Sequence, residues 1–326
     1  MQDYRWVVKE PGNMDSIIKE NINIKPPAPH EIQVRNHAVG VNYIDTYVIS
    51  GEYNIDPYPL TPGVEGAGVI TQIGDEIKDF EVGDRVGYGG PPLGAYSSIR
   101  NMWPGYLVNI PDSLPFEDAA AIMIGGLTAQ MMVKKVYPVK KGTKVLVHAA
   151  AGSSGDSLVR WCKSLGATVF GTVGSSEKII IAKNAGCDHV INYKEQNFAD
   201  KILEINSGVG IDVVYDGIGK DTYEDSFKAL KPTGMFVTFG QTSGPLPPID
   251  LSIVPVTFSN FIARPSVFAF NADRETFLQS MDDVFQMIDA NNINPKPGSV
   301  YNLNEAPRAL KDLMNRKTTG SVIFNL

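Results

Sequence analysis

Residues 145–155 read VLVHAAAGSSG. Branched and long apolar side chains run into a string of small ones, and Gly152 and Gly155 close the stretch. This is a β-strand delivered into a tight turn and a helix start. Beyond it, Leu158, Cys162 and Leu165 stand at i, i+4 and i+7, a helical face that can lie on a sheet. A pyrophosphate requires such a stretch. It must approach the backbone closely and accept N–H bonds from a helix N-terminus, and bulky side chains would bar the way. The common dinucleotide fingerprint is G-x-G-x-x-G; here Ala150 replaces the first glycine, giving A-x-G-x-x-G. A ligand-free strand-to-helix turn would use the same residues, so the surroundings must decide.

Downstream, strands and helices alternate. KVLVHAA, TVFGTVG, HVINY, DVVYDGIG and GMFVTFG read as five buried strands. SLVRWCKSLG, EKIIIAKNAG, NFADKILEINSG and TYEDSFKALKP read as the helices between them, several ending in glycine. Strand–helix–strand alternation predicts a doubly wound parallel sheet of the Rossmann type, an α/β fold. It also favours a bound nucleotide over an empty turn.

Upstream, the first third is broken by Gly and Pro into short β-type runs: EIQVRNHAVGVN, GVEGAGVITQIG and DRVGYGG. PFEDAAAIMIGG predicts a helix after Pro115, and a second is expected from near Thr128 to before Pro138. After Arg264 the grammar changes again. Phe277, Met281, Phe285 and Ile288 give helical spacing over 275–290, a last helix is expected over 306–315, and SVIFNL closes the chain as a strand. The first third and the tail read as one mostly-β domain into which the parallel-sheet domain is inserted.

Bulk properties narrow the function classes. The 326 residues suit two domains. With 43% apolar and 20% charged residues, the chain can fill a core. The net charge of −7 argues against a nucleic-acid or anionic-membrane partner. Two cysteines, Cys162 and Cys187, cannot build a disulfide framework or a four-cysteine zinc site, and they fit a reducing cytoplasm. The N-terminal MQDYRWVVKEPG lacks an export-signal pattern, and the apolar stretch 119–133 is too short and too interrupted for a membrane span.

The choice between nicotinamide cofactors turns on the end of the second strand. NAD enzymes place an acid there, about 20 residues after the glycine loop, on the ribose hydroxyls. This chain has GTVGSSEK over residues 171–178. Ser175, Ser176 and Lys178 can donate to a 2′-phosphate, while Glu177 is the lone acid. The stretch therefore points to NADPH. Taken alone, Lys178 reads as a solvated lysine in the first turn of a helix.

These residues resemble those of the medium-chain dehydrogenase/reductase superfamily and, within it, the zeta-crystallin-like NADPH:quinone oxidoreductases. The resemblance spans nearly the whole chain. It rests on GVNYIDTYVISGEY, PGVEGAGVI, VGDRV, GAYSS, GLTA, HAAAGSSG, VVYDGIGKDT, FGQTSGP and RKTTGS. It implies a GroES-like catalytic domain over 1–123 and 266–326, a Rossmann domain over 124–265, the cofactor between them, and a homodimer joined through sheet edges near residues 267–270. It also implies that Gly152, Ser153 and Gly155 sit on the pyrophosphate. Ser175, Lys178, Tyr193 and Arg316 would surround the 2′-phosphate, and Thr128, Phe239 and Gly240 the nicotinamide. Asn42, Tyr47, Tyr53 and Arg264 would stand on the substrate side, in a pocket shaped by the loops 50–58 and 244–256.

The alcohol dehydrogenases of this superfamily carry G-H-E-x-x-G, whose histidine binds catalytic zinc. Here Val64 takes the place of that histidine, and no cysteine precedes Cys162. Three good ligands are needed and are not found, so the expectation is a metal-free enzyme, with Glu65 structural and His30, His37, His148 and His189 ordinary packing or surface residues. Two departures stand out. Ser153 occupies a position that is often glycine, and Asp156 in the first helical turn is expected to face solvent. The reaction implied is reduction of a small quinone, by hydride or one-electron transfer, with Asn42, Tyr47 and Arg264 as donors to the acceptor oxygen. Tyr47 reads equally as a packing aromatic. The alternatives are an NADPH-dependent enone or enal reductase and a non-catalytic, crystallin-like or RNA-binding role.

Overall fold

The computed structural model describes residues 2–53, 55, 57–250, 252 and 254–326; Asn54, Asp56, Leu251 and Ile253, in the two expected pocket-shaping loops, lie outside the described residues. In chain order the elements are β1 (Tyr4–Val7), β2 (Ile18–Asn21), β3 (Ile32–Val41), α1 (Tyr43–Ser50), β4 (Glu65–Ile73), β5 (Arg85–Gly89), β6 (Ile99–Met102), β7 (Leu107–Asn109) and α2 (Phe116–Gln130). Next come β8 (Lys144–Val147), α3 (Ser153–Ser164), β9 (Thr168–Val173), α4 (Ser176–Ala185), β10 (His189–Asn192), α5 (Phe198–Ile205), β11 (Ile211–Asp216), α6 (Tyr223–Ala229), β12 (Leu230–Thr238) and β13 (Phe261–Ala263). The tail holds α7 (Val267–Phe270), α8 (Arg274–Asp289), β14 (Ser299–Asn302), α9 (Ala306–Met314) and β15 (Val322–Asn325).

The chain folds as two units. The first comprises Met1–Ile124, Asn271–Met281 and Pro295–Leu326; the second comprises Gly125–Phe270 and Asp282–Asn294. α8 is therefore shared between them, a division that no change of composition marks in the sequence.

The first unit is built on a sheet of order β14-β15-β3-β4-β5-β7, with β6 also paired to β3. β14 and β15 run parallel and the other pairs are antiparallel. β3 is central because its length lets it pair with three partners at once, and Ile32, Val34, Ala38 and Val39 are buried along it. The core gathers Ile70, Tyr88, Tyr96, Leu310 and Phe324. Tyr96 meets Phe324 edge-on at 5.0 Å, a favoured aromatic geometry.

The second unit holds a parallel sheet of order β10-β9-β8-β11-β12-β13. The direction of winding reverses between β8 and β11. Right-handed crossovers then put α3 and α4 on one face and α5 and α6 on the other. Leu146, Phe170, Val214, Phe227 and Phe236 form its buried centre. Two details depart from the sequence reading. The sheet has a sixth strand, β13, which is short and largely exposed and so carries almost no pattern. The two helices expected around Gly125-Gly126 are one helix, α2, continued by a π-helical turn over Met131–Val136. Burial of that segment outweighs the poor helix propensity of the glycine pair.

Candidate active site

In the second unit, β8 leads into Ala149, whose φ of 50° is the left-handed region a non-glycine residue seldom adopts. The turn holds because its neighbours fix it. The Ala150 N–H donates to the Thr172 carbonyl at 3.0 Å, and the Gly152 N–H to the Ala149 carbonyl at 2.9 Å. α3 then starts with Gly152 as its N-cap. Gly155 is obligatory at this crossing, since a Cβ there would stand 2.2 Å from the Ala149 carbonyl oxygen. Gly152, Ser153 and Gly155 thus occupy the first turn, where backbone N–H groups lack intrahelical acceptors and a helix dipole favours an anion. Asp156 corrects one expectation. Its carboxylate does not face open solvent but accepts from Arg160 Nε at 2.7 Å, one turn along α3, with 21% of the side chain exposed. That pairing offsets the charge that would otherwise oppose a phosphate.

His148, last before the loop, is fully buried. Its Nδ1 meets Thr172 Oγ1 at 2.8 Å and its Nε2 meets Ser226 Oγ at 2.9 Å, so the ring ties β8 to β9 and α6. Burial pulls its pKa down and keeps it neutral. The remaining histidines are accounted for as packing or surface groups. His37 stacks on Phe116, His189 stacks on Phe170, and His30 is exposed.

At the end of β9 the structure brings together three of the expected 2′-phosphate residues. Ser175 is the N-cap of α4, and Lys178 stands in its first turn with its N–H on the Ser175 carbonyl at 3.2 Å. The Tyr193 hydroxyl lies over Gly174, 2.6 Å from where a Cβ would be. Glu195, which the sequence reading passed over, also reaches this end and accepts from Asn192 Nδ2 at 2.6 Å and Ser176 Oγ at 3.2 Å. Arg316 belongs to the first unit, exposed after α9 with a φ of 59°.

The loops after β11 and β12 run side by side. Asp216 is buried and shapes the first of them, accepting from the Ile218 and Gly219 N–H groups and from Thr222 Oγ1. The Phe239 N–H donates to the Asp216 carbonyl at 2.9 Å, and Gly240 follows. Arg264 reaches the same place, its Nη2 3.4 Å from Gln241 Oε1. Thr128 is buried on α2.

In the first unit, Asn42, Tyr47 and Tyr53 come together at α1. Asn42 is its N-cap, and Tyr47 and Tyr53 pack at 5.1 Å between ring centres. The Asn42 amide nitrogen donates to Glu65 Oε1 at 2.5 Å, and the Ile124 N–H donates to Glu65 Oε2 at 2.6 Å. Gly40 makes room, because a Cβ there would meet Glu65 Oε1 at 2.2 Å. Asp45 accepts the Asn42 N–H at 2.8 Å and the Tyr96 hydroxyl at 2.9 Å. Burial raises both carboxyls to about 7, against the pull of these donors. Val64, beside Glu65, is buried apolar surface. Among the described residues no three His, Cys, Asp or Glu side chains gather as metal ligands. A valine at this position and no thiolate before Cys162 do not fit a zinc ion.

Two family models match the chain: the alcohol dehydrogenase GroES-like domain over residues 28–112 and the zinc-binding dehydrogenase domain over residues 155–284. The quinone oxidoreductase of Pseudomonas aeruginosa is 41% identical over 91% of this chain and 92% of its own length. The 2-haloacrylate reductase of a Burkholderia species is 38% identical over 98% of this chain and 97% of its own. The crystal structure of Escherichia coli quinone oxidoreductase complexed with NADPH superposes with a TM-score of 0.96 at 35% identity, covering 99% of this chain and all of that one. The A-x-G-x-x-G loop on a parallel sheet, the mostly-β unit beside it in sequence and the extent of these matches lead to one assignment: the chain belongs to the quinone oxidoreductases of the medium-chain dehydrogenase/reductase superfamily.

Proposed function

We propose that this chain reduces small quinones with NADPH. The observation that carries the reading is the 41% identity, across nine-tenths of the chain, to a protein named as a quinone oxidoreductase. The local geometry supports it, and the roles proposed for single residues follow the resemblance. The N–H groups of Ser153 and Gly155 at the start of α3 bind the pyrophosphate. Ser175, Lys178 and Tyr193, gathered at the ends of β9 and β10, take the 2′-phosphate, with Arg316 assigned there by resemblance. Lys178 supplies the positive charge that favours NADPH over NADH. Phe239, Gly240 and Thr128 flank the nicotinamide.

Bound NADPH supplies a hydride. The chain's own residues orient the acceptor and stabilise charge developing on its oxygen. Asn42 is the donor we assign to that oxygen, Tyr47 and Tyr53 form an apolar wall, and Arg264 is assigned to the acceptor side by resemblance. The hydroquinone oxygen takes its proton from water, so no dedicated acid is needed.

We also propose a homodimer and a cytoplasmic setting. Residues 267–270, expected at a sheet edge, are instead helix α7; the edge is β13, which ends the parallel sheet with Phe261 and Ile262 half exposed and which a second copy can extend. The two cysteines are free and buried, with thiols pushed up to about 12, as suits a reducing compartment. Among the described residues, no helix is long and apolar enough to cross a membrane.

A second reading, reduction of an activated carbon–carbon double bond, is favoured by one observation, the match to a 2-haloacrylate reductase over nearly the full chain. Following NADPH absorbance with 1,2-naphthoquinone and, separately, with a simple enone discriminates the two. Rapid oxidation with the quinone, slower with NADH in place of NADPH, is the expected result. Turnover of the enone alone would transfer the assignment to the second reading.

A further inference from the structure

Asn42 lies between two buried carboxyls. Asp45 accepts its backbone N–H, and Glu65 accepts its side-chain nitrogen. Neither carboxyl has an ion-pair partner within 4 Å among the described residues. Both Glu65 oxygens face N–H donors, one from Asn42 and one from the backbone of Ile124. This pattern suits a carboxylate and not a carboxylic acid, which must place its own O–H against an acceptor. The Ile124 N–H is fixed by α2 and cannot turn. The Asn42 amide can rotate to exchange its nitrogen for its oxygen. Whatever changes Glu65 from acceptor to donor therefore acts on Asn42.

We infer that Glu65 is a positioning residue: its carboxylate decides which end of the Asn42 amide is available to the substrate oxygen. Held as it is, the amide nitrogen spends one hydrogen on Glu65 and keeps the second for the acceptor. A protonated Glu65, or a glutamine, demands the amide oxygen instead and turns the nitrogen away. The inference rests on the reading that Asn42 meets the quinone oxygen. Glu65 titrates at about 7, so the turn falls in the neutral range. The groups around it are Asp45 on α1, which titrates in the same range and is coupled to it, Tyr96 and Tyr88, both held protonated by burial, and Arg100 beside Tyr88. The sign follows. Lowering the pH protonates Glu65, turns Asn42 and lowers kcat.

The test compares wild type with Asn42→Ala, Glu65→Gln and the double variant, with NADPH and 1,2-naphthoquinone, from about pH 5.5 to about pH 8.5. Glu65→Gln is expected to lower kcat roughly tenfold at high pH, to flatten the neutral limb of the profile and to leave NADPH affinity within about twofold. In the Asn42→Ala background it should cost nothing further. If Glu65→Gln keeps the wild-type profile, or costs as much without Asn42 as with it, the inference is wrong while the acceptor role of Asn42 stands. If Asn42→Ala turns over quinone like wild type, the acceptor reading falls and takes the inference with it. Should Glu65→Gln not fold, the side-chain amide resonances of Asn42 in asparagine-labelled wild type decide. They must move with pH through the neutral range, and resonances that stay still overturn the inference.

Discussion

At the scale of single residues, recognition of the cofactor divides between small side chains that make room and polar ones that choose. Gly155 makes room beside the Ala149 carbonyl. Ser175, Lys178 and Tyr193, gathered at one end of the sheet, are the ones we propose to choose. Lys178→Ala removes one charge-assisted contact, so KM for NADPH is expected to rise roughly tenfold while KM for NADH changes little. Equal losses with both cofactors in steady-state assays would place Lys178 outside the 2′-phosphate site. The glycines were readable because their reason is local: a turn, a helix start and a close approach within a few residues. Asn42, Tyr47 and Tyr53 became visible only through resemblance. The bonds of Glu65 span 23 and 59 residues and those of His148 span 24 and 78, separations that no short motif encodes. Glu65 therefore read as merely structural.

At the scale of elements, the periodic segments were legible and the marginal ones were not. α3, with Leu158 and Cys162 buried, and β3, with its buried run, follow from pattern. β13 escaped because three half-exposed residues hold no period, and α2 was split because Gly125-Gly126 signals a break that tertiary packing overrides. The carboxyls of Asp45 and Glu65 join α1, β4 and α2, and this junction has a pH signature. Both groups rest at about 7 when folded, against 3.8 and 4.5 as ordinary values. Between those limits the folded chain holds protons that the unfolded chain has released. Their contribution is thus fully present at low pH and is lost as pH rises to about 7. His148, whose pKa is lowered, contributes in the opposite sense over part of the window, so the difference between variants is the clean measure. Relative to wild type, Asp45→Asn is expected to gain in urea midpoint as pH rises from about 4.5 to about 7. A constant difference across that window would show that Asp45 does not titrate there.

At the scale of the whole molecule, a net charge of −7 keeps copies apart except where apolar surface invites them together. Val256, which precedes β13 in the chain, is 95% exposed, and Phe261 at 55% and Ile262 at 43% lie on β13 itself, the last strand of its sheet. A charge introduced there should break a dimer without touching the nucleotide loop. Phe261→Glu is expected to halve the mass seen by light scattering while NADPH binding persists; an unchanged mass would move the interface elsewhere. The division of the chain bears on its ancestry and its engineering. Two of its four passages between units fall inside helices, within α2 after Ile124 and within α8 after Met281; the other two fall in loops, after Phe270 and after Asn294. A cut within a helix severs the three or four backbone bonds that bridge it. Recombination among relatives can therefore exchange loops freely at two crossings. At the other two it must carry α2 and α8 across whole, so the natural seams of a chimera lie in the loops after Phe270 and Asn294 or beyond the ends of these helices.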